Sequence, residues 1–244
     1  ILRYMQTRCA RTATVFWIAA CGAVLLLTQS ATVALSTVGC FLVIVGLVVQ
    51  RRVPVRWRLR VIGAFTAVGI AAAVGAFFAR HMIADAFGRS PDMSGRSIIW
   101  RRAAALIAEH PIGGWGWFIG WPTSIEPFSS LVIRNDGTAT NQAHNVYVEA
   151  ALTTGFVGAA IITGAIVWTL FRVVKVAVAH IDDNLWDVIP AVLMIAMFIQ
   201  SFTESRLLFE GNWMLFVVIA TWVKVRGEVP LVWPSAARQH LEYS

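Results

Sequence analysis

The stretch NQAHNVYVEAA (Asn141 to Ala151) places a histidine, two asparagines and a carboxylate at the start of one of the longest apolar runs in the chain. A cap at Thr140 or Asn141 would put His144 in, or just before, the first turn of a helix. Free N–H groups there favour anions and disfavour imidazolium. A neutral imidazole can accept a proton from a hydroxyl, as a general base does. We therefore expect His144 to be either a general base or a histidine that only hydrogen-bonds at a helix start.

Four other residues of this run have spacing that predicts a role. Asn145 follows His144 directly, and Glu149 lies about one helical turn into the apolar run. A carboxylate at that depth faces a bundle interior or water and needs a partner. We therefore expect an orienting or structural role for Glu149 rather than proton transfer. Gly155 and Ala159, four residues apart, predict a close-packing helix face.

A second group of candidates lies in SGRSIIWRRAAALIAEH (Ser94 to His110), a stretch with helical periodicity. At 100° per residue, one stripe contains Arg96, Ile99, Trp100, Ala103, Leu106, Ile107 and His110. Arg101 and Arg102 lie away from it. The pattern predicts an amphipathic helix on the outer membrane surface. The planar guanidinium group of Arg96 suits phosphate oxygens, so we expect Arg96 to bind an anion in a water-filled cavity. The alternative is that Arg96 extends to the phosphates of lipid headgroups.

A late turn, SFTESRLLFEGNW (Ser201 to Trp213), supplies two more charged candidates. Glu204 and Arg206 are too close in sequence for a helical ion pair, so a solvated turn is the plain expectation. They remain candidates because the topology below puts them on the same side as Arg96 and His144. No two of the five histidines stand at i, i+3 or i, i+4, so the sequence predicts no metal site.

The elements that position these residues are membrane helices. The chain is 58% hydrophobic and 14% charged, with a mean hydropathy of +0.69, whereas soluble domains contain roughly 25% charged residues. A membrane span needs about 20 apolar residues. Six apolar windows approach this length: Ala13–Leu27, Ala31–Val49, Val61–Ala79, Val146–Phe171, Val188–Thr203 and Trp213–Val223. We predict an all-α bundle of about six spans that forms a single membrane domain over residues 1–244.

The basic residues fix the predicted orientation. They fall between the apolar runs, above all in RRVPVRWRLR (Arg51 to Arg60), and the positive-inside rule puts such segments in the cytoplasm. Six spans then put both ends of this chain inside and residues 80–144 outside, as one extracytoplasmic loop that contains the amphipathic helix. The same rule accounts for the net charge of +7, so nucleic acid is not expected as a partner. The predicted location is the inner membrane, with membrane lipids as neighbours.

Three stretches together resemble the O-antigen ligase and O-antigen polymerase-like membrane proteins: GRSIIWRRAAALIAEHPIGGWGW, AHNVYVEAALTTGFVGAAI and FTESRLLFEGNWMLF. The resemblance covers about residues 15–225 and matches the C-terminal part of a longer protein. It implies a glycosyltransferase of the GT-C type that needs no metal or other cofactor. Its implied partners are a polyprenyl pyrophosphate-linked glycan as donor and a glycan, glycolipid or protein as acceptor, on the outer face of the inner membrane.

The resemblance also assigns residues. It implies that Arg96 binds pyrophosphate and that His144, beside Asn145, is the catalytic base. A second arginine is usual at an outer turn of this family, but the matching stretch here is TQSAT, with Gln29 in the arginine's place. Gln29 can donate hydrogen bonds but has no charge. The second cation must come from one of three other arginines, unless donor binding differs: Arg101, Arg102 or Arg134.

Two other classes of protein fit the composition. A transporter or flippase of lipid-linked glycans has ionisable groups near the bilayer midplane, whereas the charges here collect at the outer ends of the predicted spans. A membrane scaffold would use the outer loop only to bind partners. Substrate-dependent release of polyprenyl pyrophosphate separates both from a glycosyltransferase.

Overall fold

A computed structural model describes residues 11–28, 31–50, 52–78, 96–118, 120–122, 124–131, 140–180 and 185–228. All regular secondary structure in these ranges is helical, so the all-α prediction is confirmed for the described residues. Eight α-helices follow in order: α1 (Arg11–Thr28), α2 (Ala31–Gln50), α3 (Val55–Phe78), α4 (Arg96–Glu109), α5 (Phe128–Leu131), α6 (Val146–His180), α7 (Val188–Ser201) and α8 (Glu210–Glu228). Short 3-10 turns at Leu185–Asp187 and Arg206–Leu208 precede α7 and α8.

Helices α1, α2, α3, α6, α7 and α8 coincide with the six apolar windows. Among the described residues, α6 has 35 residues and is long and apolar enough to cross a membrane. Shorter apolar segments lie at Val15–Val24, Ser36–Gln50 and Val188–Ser201. The number of spans and their orientation stay predictions.

Helix α6 is the centre of the described fold, and it packs against α4, α7 and α8, while α7 also packs against α2. Small residues lie where these helices approach each other: Ala150, Ala177 and Ala191 are almost fully buried. Small side chains let helix backbones come close, which is how helices associate where lipid removes the hydrophobic driving force. Larger apolar residues fill the same core, among them Val146, Ile166, Val173, Met194 and Phe216.

A second core forms between α4 and the first turns of α6. Four residues of the predicted α4 stripe are buried there: Ile99, Ala103, Leu106 and Ile107. Arg101 and Arg102 are exposed, as predicted. The apolar face of α4 therefore packs on protein, against Leu152 of α6, Trp121 of the loop, and Phe128 and Leu131 of α5.

Helix α6 is interrupted at Gly155, whose backbone has φ 66 and ψ −176. Such an interruption frees backbone groups that must find other partners. The loop after α4 supplies them. Three backbone hydrogen bonds join this loop to the interrupted turn: Phe156 N to Pro111 O (2.7 Å), Trp115 N to Leu152 O (2.9 Å) and Gly116 N to Thr153 O (2.9 Å). The start of α6 and the end of α4 are thereby held together.

Two glycines make this backbone contact possible. A Cβ atom on Gly155 would meet the carbonyl of Ile112, and a Cβ atom on Gly114, at φ +67, would meet the backbone of Thr153 and Gly155. Both positions also have positive φ, which side chains with a Cβ rarely adopt. The close packing expected at Gly155 is therefore present, but its partner is a loop backbone rather than a second helix.

Candidate active site

Asn145 determines where α6 begins. Its side-chain oxygen accepts hydrogen bonds from the backbone N–H groups of Tyr147 (2.9 Å) and Val148 (3.1 Å), which is the geometry of an N-cap. The predicted cap at Thr140 or Asn141 is therefore wrong, and His144 lies just before the helix. Because Asn145 accepts from two of the free N–H groups at this helix start, the capacity of the helix start to bind an anion is reduced.

His144 has φ 51 and is the only non-glycine residue with positive φ among those described. A left-handed backbone at such a residue costs on the order of 1–3 kcal/mol and persists where the surroundings fix it. Both neighbours are fixed here. The Ala143 N–H donates to Glu149 (2.6 Å), the Ala143 carbonyl accepts from Trp100 (2.8 Å), and the Asn145 N–H donates to Ser205 (3.1 Å). The backbone thus holds the imidazole in one place.

Glu204 joins the histidine to the arginine. Oε2 of Glu204 lies 3.1 Å from Nδ1 of His144, and Oε1 lies 3.2 Å from Nη2 of Arg96. The side chains of His144, Glu204 and Arg96 are 17%, 26% and 25% exposed, so a substrate can reach all three. The expectation of a solvated turn is wrong for Glu204. Since Arg96 begins α4 and Glu204 follows α7, three separate elements meet at this cluster.

The geometry at His144 suits a general base. When Nδ1 carries the hydrogen, it donates to Glu204 and leaves the lone pair of Nε2 as an acceptor. Thr140 Oγ1 lies 3.5 Å from Nε2. A carboxylate in this position selects the tautomer and stabilises the imidazolium that forms when Nε2 takes a proton.

Glu149 is the buried support of this site. It is 1% exposed and accepts three hydrogen bonds, from Trp121 Nε1 (2.8 Å), Ala143 N (2.6 Å) and Ser205 Oγ (3.2 Å). The expectation that this carboxylate finds partners is confirmed. Its two oxygens tie the loop, the residue before His144 and the residue after Glu204 to the first turn of α6.

The other candidates are less closely tied to this cluster. Arg101 and Arg102 lie on the exposed side of α4, and Arg206 is exposed in the turn after Glu204. The side-chain amide of Asn145 is hydrogen-bonded within the protein: its oxygen accepts the capping bonds, and Nδ2 donates to the carbonyl of Phe202 (3.2 Å). Gln29 and Arg134 lie outside the described residues.

Two recesses are lined by residues from the same segments of the chain as the cluster, and neither could be found from the sequence. We call the first the amide cleft; it measures ≈ 390 Å³ and is lined chiefly by Asn141, Gln142, Arg206, Phe209 and Asn212. We call the second the apolar groove; it also measures ≈ 390 Å³ and lies between α4 and α6, lined chiefly by Ala104, Ile107, Ala108, Tyr147, Val148 and Ala151. Glu204 contacts His144, and Ser205 donates a hydrogen bond to Glu149. The Thr-Glu-Ser turn that contains them was visible in the sequence, but nothing in the sequence indicated these partners.

Residues 14–163 match the family model described as O-Antigen ligase. The chain belongs to this family. The match includes Arg96 and His144 and ends before Glu204. Membership in the O-antigen ligase family confirms the family resemblance, and the matched residues include the first two of the three sequence stretches.

A similar curated protein is the "Exopolysaccharide production protein ExoQ" of Rhizobium meliloti (strain 1021). It is 26% identical over an alignment of 227 positions, and the alignment covers 86% of this chain and 50% of that relative. The chain thus spans about half the length of the relative. Both comparisons point to the making of polysaccharides, one through a ligase family and the other through an exopolysaccharide protein.

Proposed function

We propose that this protein is a glycosyltransferase that moves a glycan from a polyprenyl pyrophosphate donor to an acceptor hydroxyl. The observation that carries the proposal is the cluster of His144, Glu204 and Arg96, in which one carboxylate orients a general base and holds a cation for phosphate. Family membership supports the same reaction class. Ligase and polymerase activity differ in the acceptor, and both use this chemistry.

In the proposed reaction the acceptor oxygen attacks the anomeric carbon of the donor sugar. The bond from that carbon to the pyrophosphate oxygen breaks, and the acceptor proton passes to Nε2 of His144. Glu204 then faces an imidazolium at Nδ1 and stabilises its charge. A positioned base of this kind contributes about 10²–10⁴-fold to the rate. Direct displacement inverts the anomeric configuration of the donor linkage.

Arg96 is proposed to bind the leaving pyrophosphate. Its ion pair with Glu204 holds the guanidinium beside the base before substrate arrives. The fork of N–H donors can then share oxygens of the carboxylate and of the diphosphate. Because Asn145 caps α6, this cation matters more than the helix start for the charge that develops on the leaving group.

The apolar groove supports a lipid-linked donor. It lies between α4, which begins with Arg96, and the first turns of α6, which follow His144. Its lining is apolar apart from the Tyr147 hydroxyl, which interacts with Ser201 Oγ at 3.0 Å. We propose that the polyprenyl chain lies along this groove with its pyrophosphate toward Arg96.

The proposed setting is the inner membrane, crossed about six times, with residues 80–144 and the site on the outer face. The positive charges between the apolar helices support this orientation. A lipid-linked donor and a growing polysaccharide would then meet outside the cytoplasm.

One experiment tests the proposed function. Purified full-length protein in lipid nanodiscs receives the lipid-linked repeat unit from the cells that make it, together with an acceptor glycan. We expect polyprenyl pyrophosphate to be released in step with an extended acceptor, and NMR of the product to show an inverted linkage. Donor that crosses a bilayer without release would instead indicate a transporter, and donor that binds unchanged would indicate a scaffold; a retained linkage would exclude direct displacement.

A further inference from the structure

The amide cleft continues the proposed active site along the chain. Asn141 and Gln142 lie three and two residues before His144, and Arg206, which also lines the cleft, lies two residues after Glu204, with Phe209 and Asn212 a few residues further along. The backbone at Asn141 is held in place, because the Asn141 carbonyl accepts a hydrogen bond from the Trp121 N–H (2.7 Å). The two segments that carry the base and its carboxylate therefore also form this cleft.

The side chains that line the cleft suit a saccharide. Asn141, Gln142 and Asn212 each offer an amide that both donates and accepts hydrogen bonds, as the neighbouring hydroxyl groups of a sugar do. Phe209 adds a half-buried aromatic ring, whose face can contact the apolar C–H side of a sugar ring. The cleft is near the lower end of the range of about 300–1,000 Å³ for small-molecule sites.

Two polar groups of the cleft lack partners among the described residues. The side-chain oxygen of Gln142 is buried and accepts no hydrogen bond, a state that costs about 1–3 kcal/mol in a folded protein. Arg206 is exposed and forms none of the ion pairs or side-chain hydrogen bonds found in the described part of the chain. A ligand with several hydroxyl groups would supply an acceptor for the arginine.

We propose that the amide cleft binds the saccharide of the acceptor and presents one of its hydroxyl groups to Nε2 of His144. This inference rests on the proposed function. The rival occupant is the diphosphate of the donor, bound through Arg206. The lining favours a saccharide, because Arg206 is the one charged side chain among the described residues that line the cleft, and three amides and an aromatic ring accompany it.

The test uses the full-length protein and two probes. One probe is the oligosaccharide released by mild acid from the cell's own lipid-linked repeat unit, and the other is inorganic pyrophosphate. Asn212→Ala and Arg206→Gln should each weaken oligosaccharide binding about 3- to 10-fold in calorimetric titrations, the effect of losing one hydrogen bond. Pyrophosphate binding should not change. Arg96→Ala should show the reverse pattern, and Arg56→Gln, an exposed arginine at the start of α3, should alter neither.

Turnover gives a second measurement. In both cleft variants the KM for the acceptor should rise while kcat at saturating acceptor is retained, since a saccharide subsite acts on binding. If both variants bind oligosaccharide as the unchanged protein does, the inference is wrong while the proposed function stands. Loss of pyrophosphate binding instead would assign the cleft to the donor and also overturn the inference. Absence of donor turnover in the unchanged protein would overturn the proposed function, and the oligosaccharide titrations would still decide the cleft.

Discussion

Nδ1 of His144 lies 3.1 Å from Oε2 of Glu204, although 60 residues of sequence separate them. This contact connects the start of α6 with the turn after α7, and Arg96 at the start of α4 lies on the other oxygen of the same carboxylate. The proposed base, the carboxylate proposed to orient it and the proposed cation for the leaving group are therefore linked through one side chain. Changes at Glu204 should disturb both functions at once.

Glu204→Gln should lower turnover by up to about 10⁴-fold, the effect of changing to an amide a carboxylate that orients a catalytic histidine. The amide can no longer stabilise imidazolium, and it can turn its NH₂ group toward Nδ1 and select the wrong tautomer. Single-turnover rates with the lipid-linked donor measure the effect. Donor affinity should fall as well, since Arg96 loses its ion pair.

A matched variant is Arg226→Gln, which breaks the ion pair to Asp187 (3.0 Å) far along the chain from the cluster. It should leave turnover per folded molecule near that of the unchanged protein. Equal losses in Glu204→Gln and Arg226→Gln would show that any broken ion pair reduces activity and would count against an orienting role for Glu204.

Because His144 has a left-handed backbone, three substitutions there can separate the loss of the base from the loss of stability. His144→Ala, His144→Asn and His144→Gly all remove the base, so each should lower turnover about 10²–10⁴-fold. Their stabilities should differ, because glycine adopts φ 51 without strain, asparagine tolerates it and alanine is penalised. Thermal midpoints and single-turnover rates, measured on the same preparations, separate the two effects.

Turnover that follows stability across this series would mean that His144 only supports the fold. A His144→Asn protein with normal abundance and normal turnover would end the catalytic interpretation. In that case the cluster would be a structural junction between α4, α6 and the turn after α7.

The six apolar helices and the apolar stripe of α4 could be predicted from the sequence, while the roles of His144 and Arg96 stay predictions. Periodicity and hydrophobic length are local properties, and they give helix positions directly. The contact between His144 and Glu204 could not be predicted, because it depends on how α6 and α7 pack. A turn that contains a glutamate looks solvated until its neighbours in space are known.

The N-cap was also mispredicted for a physical reason. Thr140, Asn141 and Asn145 are all residues that favour caps, and sequence alone does not rank them. Asn145 caps the helix because the Ala143 N–H bonds to Glu149 and the Asn145 N–H bonds to Ser205, which fixes the backbone on both sides of His144. These partners are tertiary, so the helix start is set by the fold and not by the local stretch.

For Arg96 the prediction concerns the shape of its guanidinium. Arg96→Lys keeps the charge but loses the fork that binds two oxygens, so donor binding should weaken even though the change looks conservative. Arg96→Ala should weaken it further. Titration with inorganic pyrophosphate and the KM for the donor measure both effects. If Arg96→Lys binds pyrophosphate and donor as tightly as the unchanged protein, Arg96 contributes only its positive charge.

The orientation can be tested with single cysteines in a chain from which Cys9, Cys21 and Cys40 have been removed. Arg56→Cys, in the segment predicted to be cytoplasmic, should be shielded from an impermeant thiol reagent in intact cells. Glu109→Cys, exposed at the end of α4, should be labelled. Disruption of the membrane should expose both, which controls for reactivity. The opposite labelling pattern would place the proposed site on the cytoplasmic side.

The last prediction concerns the interruption of α6. Gly155 has φ 66 and ψ −176, a conformation essentially restricted to glycine, and it lies against the carbonyl of Ile112. Gly155→Ala should therefore destabilise the fold by at least about 1–3 kcal/mol and lower its thermal midpoint in detergent. Gly164→Ala is the matched control, because a Cβ there meets no atom within 4 Å; in a helix interior it should stabilise by roughly 0.5–1 kcal/mol. A Gly155→Ala protein as stable as the unchanged one would show that the loop after α4 does not need this close backbone contact.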